Sequence, residues 1–208
     1  MKALAAGPND SIITGSRDNR AILFARDQTA NKVVYAPSTV VSHTNFVNAV
    51  AFVPPSQLYP EGKGSFFFLL SSCPFFLQLL LWIGLLVSGG RENIIYAHAP
   101  SNPAVPVYTM IGHTENICSL AIAGTPEAPL ILSGSWDKSC RVWAHGQCVQ
   151  VLEGHEAAVW SVIALENGDI LSGKTLFDRI SVGELLVLKN QFDDVFNRIC
   201  RQDRKVVA

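Results

Sequence analysis

A chain of 208 residues can bury a sizeable core, in one large domain or two small ones. With 16 basic and 17 acidic residues and a formal net charge of −1, it lacks the electrostatic footprint that nucleic acid or an anionic membrane demands. Its five cysteines, Cys73, Cys118, Cys140, Cys148 and Cys200, are odd in number and form no C-x-x-C pair, which argues against a disulfide framework or a zinc site and for a reducing compartment.

Residues 1–10 lack a basic segment followed by an apolar run, so no secretory signal is expected, and the Asn9-Asp10-Ser11 sequon carries no expectation of glycosylation. The first expected strand is Ile12-Ile13-Thr14-Gly15, which runs into the turn Ser16-Arg17-Asp18 and is closed by Phe24. Ser42-His43 then leads into a short apolar strand from Val47 to Phe52. After a Pro-rich loop comes an apolar stretch with no charge between Lys63 and Arg91. Two readings compete for it. Residues 66–87 are long enough to cross a bilayer, where about 20 apolar residues suffice; alternatively the segment 62–84 is a translated intron, because removing Lys63 to Gly84 joins Gly62 to Leu85 and restores a loop of ordinary length. A single crossing would put the flanking strands on opposite sides of a membrane.

The strand pattern resumes at Leu86-Val87-Ser88-Gly89-Gly90-Arg91-Glu92, with Glu in place of the turn Asp and Tyr96-Ala97 following one residue early. The next copy is complete. Gly112-His113 precedes a strand from Ile117 to Ile122, Leu130 to Ser133 is a strand running into Gly134-Ser135-Trp136-Asp137, and Cys140 to Trp143 returns. Gly154-His155 stands 42 residues after Gly112-His113 and heads a strand from Val159 to Leu165. A period near 40 residues with a Trp-Asp turn predicts the blades of a WD40 β-propeller. The 70 residues between His43 and His113 show that the apolar stretch is inserted into one such unit.

Beyond Gly173 the repeat is not resumed, and the tail from 174 to 208 is expected to be non-repeat and partly helical around Asp193 to Arg201. Gly168 to Thr175 fits the phosphate-cradling pattern G-x-x-x-x-G-K-T. That motif needs a loop between strand and helix, whereas Asp169 to Ser172 aligns with the strand Leu130 to Ser133, so nucleotide binding is set aside.

The expected fold is therefore all-β, a partial WD40 β-propeller of about three to four blades, interrupted by an apolar insert and ending in a non-repeat tail. Its divisions are 1–61 for the first WD blades, 62–84 for the insert, 85–173 for further WD blades and 174–208 for the tail. The first blade is expected without its first strand and its His, and the last to stop after its second strand. Each blade is expected to be pinned by a polar chain in which the turn acid meets the loop His, the His a strand Ser or Thr, and the Ser a Trp. His113, Ser133, Asp137 and Trp143 make the complete set; His155 with Ser172, His43 with Ser88, and Thr14 with Asp18 are partial ones. A His–Asp pair could suggest a catalytic triad, but it recurs in a structural role with no matched nucleophile. No catalytic, cofactor-binding or metal residue is assigned.

The run His43-Thr44-Asn45-Phe46-Val47, the loop Pro54-Pro55-Ser56-Gln57-Leu58-Tyr59-Pro60-Glu61-Gly62, and the turns at Ser133 to Asp137 and Gly154 to Trp160 carry a more specific signal. Over roughly residues 1–61 and 85–173 the chain closely resembles the N-terminal propeller of the phospholipase A-2-activating protein family. The resemblance implies a non-enzymatic ubiquitin-binding adaptor in ubiquitin-dependent, proteasomal degradation and ubiquitin recycling, cytoplasmic and also nuclear. Its partners would be ubiquitin or ubiquitinated proteins, with an AAA+ unfoldase engaged through later domains that these 208 residues do not contain. Propellers bind mostly through loops on one face, which nominates Lys2, Arg17, Phe46, Asn48, Arg91, Asn116, Cys118, Trp136, Ala158 and Trp160, with the two tryptophans as anchors. A general WD40 scaffold for another partner is the alternative, and a membrane-inserted protein the third reading.

Overall fold

The computed structural model describes residues 1–7, 10–27, 33–54, 84–125, 128–165, 168–174 and 185–188. Among them every regular element is a strand, as short runs of Val, Ile and Leu alternating with small or polar residues dictate. The strands are β1 (Ala3–Ala6), β2 (Ile12–Gly15), β3 (Arg20–Asp27), β4 (Val34–Ser42), β5 (Val47–Val53), β6 (Leu85–Gly90), β7 (Ile94–Ala99) and β8 (Asn102–Ile111). They continue as β9 (Ile117–Thr125), β10 (Ala128–Ser135), β11 (Cys140–Ala144), β12 (Gln147–Leu152), β13 (Val159–Ala164), β14 (Ile170–Lys174) and β15 (Leu185–Leu188).

Each sheet is an antiparallel meander in sequence order: β1 to β4, β5 to β8 and β9 to β12 form four-stranded blades, and β13 to β15 a three-stranded one. The first strand of each later blade packs on the blade before it. Strand β5 lies on β1 and β2, β9 on β5 and β6, and β13 on β9 and β10. Three apolar clusters fill these joints: Ile13 and Leu23 with Val47 and Leu86, Val87 and Ile95 with Ile117 and Trp143, and Leu132 and Val142 with Val159 and Ile170. Close approach at the joints depends on glycine. A Cβ on Gly15 would lie 2.8 Å from Val47 Cγ1, and one on Gly134 would lie 2.9 Å from Val159 Cγ1.

Two expectations are corrected. The first blade has its first strand, Ala3–Ala6, paired with Ile12–Gly15; three of its four residues are alanine, a weak strand former, and pairing rather than propensity places it. The last blade does not stop after its second strand, since Leu185–Leu188 of the tail pairs with Ile170–Lys174. The expected helix from Asp193 to Arg201 and residues 62–83 of the 62–84 insert lie outside the described residues. At the edge of that insert, Val53 pairs with Leu85, so the connection leaves and re-enters one sheet at neighbouring strands. The two ends therefore start on the same side. No helix among the described residues is long and apolar enough to cross a membrane.

Candidate protein-binding face and the polar locks beneath it

In the third blade four side chains form one continuous chain of hydrogen bonds. Trp143 Nε1 donates to Ser133 Oγ at 2.8 Å, Ser133 Oγ lies 2.7 Å from His113 Nε2, and His113 Nδ1 lies 2.7 Å from Asp137 Oδ2. A carboxylate only accepts, so the imidazole proton sits on Nδ1 and Nε2 accepts from the serine hydroxyl. Asp137 also binds the turn. Its Oδ1 accepts from Ser139 N at 3.0 Å and Ser139 Oγ at 2.7 Å, and its Oδ2 accepts from Thr114 N at 3.1 Å. Burial alone would raise the Asp137 carboxyl, but the Ser139 hydroxyl, His113 and the Ser139 amide outweigh it and hold the group at about 2. Burial lowers His113 from its ordinary value in spite of Asp137.

The other blades carry reduced versions. In the second, His43 Nε2 lies 2.8 Å from Ser88 Oγ, but its Nδ1 is 3.6 Å from Glu92 Oε1, too far for a strong bond. Glu92, one methylene longer than Asp, instead accepts from the Thr44 and Asn45 amides. Tyr96 takes the place of Trp and meets the His43 ring edge-on at 5.3 Å. In the fourth blade His155 Nε2 lies 2.7 Å from Ser172 Oγ. Blade 1 has no histidine: Thr14 sits opposite Ile22, and Asp18 Oδ1 accepts from Arg20 N at 3.2 Å within its own turn. Sequence reasoning missed His98, a buried residue of β7 whose Nδ1 has no hydrogen-bond partner and whose pKa is pushed down to about 4 by burial and then by His43. A lone His in a strand gives no spacing signal that could have found it.

These locks fix the turns above them, and neighbouring blades stitch those turns together. Val47 N donates to Ser16 O at 3.0 Å and Asn93 Nδ2 to Thr114 O at 3.0 Å. Within blades, Arg91 N donates to Phe46 O at 3.0 Å and Trp136 N to Asn116 O at 2.9 Å. Side chains on this rim pair up. The Arg91 guanidinium stands 5.8 Å from the centre of the Phe46 ring, and Trp136 meets Trp160 edge-on across the joint of blades 3 and 4 at 5.6 Å. Trp136 and Trp160 are 40% and 47% exposed, although indole is a side chain that folding usually hides. Cys118 lies half-buried beside them, with Sγ 3.9 Å from Asn116 O, and burial pushes its thiol up to about 11. Asn48 and Ala158 are half-buried, and Lys2 and Arg17 are exposed in blade 1.

Among the described residues no cluster of His, Cys, Asp or Glu could hold a metal ion. Ile170–Lys174 is strand, hydrogen-bonded to β13 on one side and β15 on the other, so the glycine-lysine run is not a free phosphate loop. Lys174 instead lies buried, with Nζ 3.6 Å from Glu156 Oε2.

Comparison with known proteins agrees with a WD40 repeat. The WD domain, G-beta repeat family matches residues 104–144 and 146–179. Phospholipase A-2-activating protein of Xenopus laevis is 32% identical over 155 residues, 74% of this chain and 16% of that protein. Ubiquitin homeostasis protein lub1 of Schizosaccharomyces pombe is 33% identical over 115 residues, 55% of this chain and 12% of that protein. The chain thus spans a small part of the relatives it matches. The crystal structure of the WD40 beta propeller domain of Doa1 superimposes with a TM-score of 0.53 at 22% identity, covering 83% of this chain and 47% of that one, which establishes the fold.

Proposed function

We propose that this chain, a WD40-repeat relative of phospholipase A-2-activating protein, is a non-catalytic docking module that binds ubiquitin or ubiquitinated proteins. Support comes from two directions: one relative, lub1 of Schizosaccharomyces pombe, is a ubiquitin homeostasis protein, and the repeat supplies a rigid rim rather than a reactive centre. The hydroxyl that a triad would need, Ser133 Oγ, is fully buried and already shared between His113 and Trp143. The compartments that suit this reading are cytoplasm and nucleus. An AAA+ unfoldase would join through segments of the longer relatives that these residues do not align to. Residues 62–84 fit best as a translated intron between the strands at 1–61 and those at 85–173.

One observation carries the reading: two half-exposed indoles packed edge-on above a hydrogen-bonded lock. Aromatic anchors on rigid backbone dominate binding energy, each worth about 2 kcal/mol or more when truncated. Calorimetric titration with monoubiquitin is therefore expected to show binding that weakens more than about tenfold in Trp136→Ala and in Trp160→Ala. Unchanged affinity in both variants would sink the assignment. Wild-type protein that ignores ubiquitin yet captures another partner through the same indoles would point to a general WD40 scaffold.

A further inference from the structure

At the seam of blades 2 and 3 a cation stands half inside the protein with no counter-charge among the described residues. Arg141 lies on β11, opposite Ser133 of β10 and Val151 of β12, two residues before the Trp143 that packs into this joint. Its side chain is half-buried, and its Nε is enclosed without a hydrogen-bond partner. The ion pairs among the described residues are Arg26 with Asp10, His43 with Glu92, His113 with Asp137 and Lys174 with Glu156, and none includes it. A guanidinium does not shed its proton, so the charge stays. Taking an ion out of water without a partner costs free energy that a matched counter-charge returns. The charge is felt nearby: burial first, and then Arg141 acting against Asp137, holds His113 below its ordinary pKa.

The blade itself does not ask for this cation. Register equates Arg141 with Ile22 in blade 1 and Tyr96 in blade 2, each opposite the Thr or Ser of its own lock. Gly112 makes room for the head. A Cβ there would run into Arg141 Nη1 and lie 3.1 Å from Trp143 Cη2. The backbone does not require glycine, since Gly112 is not among the residues with positive φ and Ser42 holds the same place before His43 in blade 2. Two apolar side chains flank the notch in water. Ile111, next to Gly112, is 71% exposed, and Val151, paired with Arg141, is 41% exposed.

We propose that this notch binds an acidic side chain of a protein partner, its carboxylate paired end-on with the two Nη groups of Arg141 and its apolar neighbours laid on Ile111 and Val151. Charge matching selects a carboxylate over a phosphate. One guanidinium balances one carboxylate through a two-bond fork, whereas a phosphoryl group brings about −1.5 to −2 and is left in excess. The inference is independent of the ubiquitin reading, which rests on the indole pair.

Nuclear magnetic resonance of the full 208-residue chain tests it. The enclosed Nε–H gives a slowly exchanging signal that reports on the guanidinium, and the Gly112 and Val151 amides are second reporters. Titration with acetyl-Leu-Glu-Leu-amide is expected to shift these signals to saturation, and acetyl-Leu-Gln-Leu-amide to need about tenfold more peptide or to leave them unmoved. Arg141→Lys keeps the charge without the fork and is expected to weaken the Glu peptide about tenfold. Arg141→Met replaces an unmatched charge by an apolar chain of similar length. Its peptide binding should vanish while its denaturation midpoint without peptide holds or rises. Signals that ignore the Glu peptide, an equal response to the Gln peptide, tighter binding of inorganic phosphate, or full affinity in Arg141→Lys would each overturn the proposal. So would a midpoint that falls in Arg141→Met, because Arg141 would then serve the blade itself.

Discussion

Ser133 Oγ is the hub on which the third blade's lock turns, because it serves Trp143 and His113 at once. Ser133→Ala leaves two buried polar groups without a partner, and an unmet buried group costs about 1–3 kcal/mol. Chemical denaturation is expected to show a loss in that range, and Thr14→Ala in blade 1, where no histidine waits, a smaller one. His98 gives the fold a pH response of known sign. Its folded pKa of about 4 lies below the ordinary 6.5, so the unfolded chain binds the proton better, and stability falls as pH drops from 6.5 to about 4. The full span corresponds to about 3 kcal/mol at most. Burial shifts His43 and His113 the same way. Between 3.8 and about 2 the loss continues through Asp137, whose depressed carboxyl stabilises the fold only while ionised. Thermal melts of His98→Leu are expected to lose less between pH 6.5 and 4 than wild type. The complete lock was legible in the sequence because four residue types recurred at fixed offsets. The weaker pairing of His43 with Glu92 was not, since the length of one side chain decides it.

At the scale of elements, the strands with β-branched or leucine-rich runs could be read directly, and their starts at Val47, Ile117 and Val159 agree with the sequence reading. Those that escaped lacked a local signal: β1 is nearly all alanine and β15 lies beyond the repeat spacing. What places both is a partner strand with unmet backbone groups, which no window of the chain records. The glycines make the same point about packing. Gly134→Ala drives a methyl towards Val159 and is expected to cost about 1–3 kcal/mol through overpacking. Gly173→Ala meets no atom of the described residues within 4 Å and should leave the denaturation midpoint nearly unchanged. A matched loss at both positions would contradict the joint geometry.

For the whole molecule, periodicity carried the fold class and the order of blades, while the joints had to be seen in three dimensions. The pairing of Val53 with Leu85 lets the insert be tested as a unit. Deleting Lys63 to Gly84 keeps both strands and their register, so the melting temperature should stay the same or rise, because a shorter loop costs less entropy to close. A chain that no longer folds after the deletion would give the insert a structural role. Finally, the crossing of Trp136 over Trp160 has a spectroscopic consequence: indoles whose centres lie 5.6 Å apart at 61° exchange excitation, so their absorption splits into two bands of opposite rotational strength. Such a couplet would vanish on losing either ring, or on any slippage of blade 4 from blade 3, and so offers an optical gauge of that seam that needs neither label nor ligand.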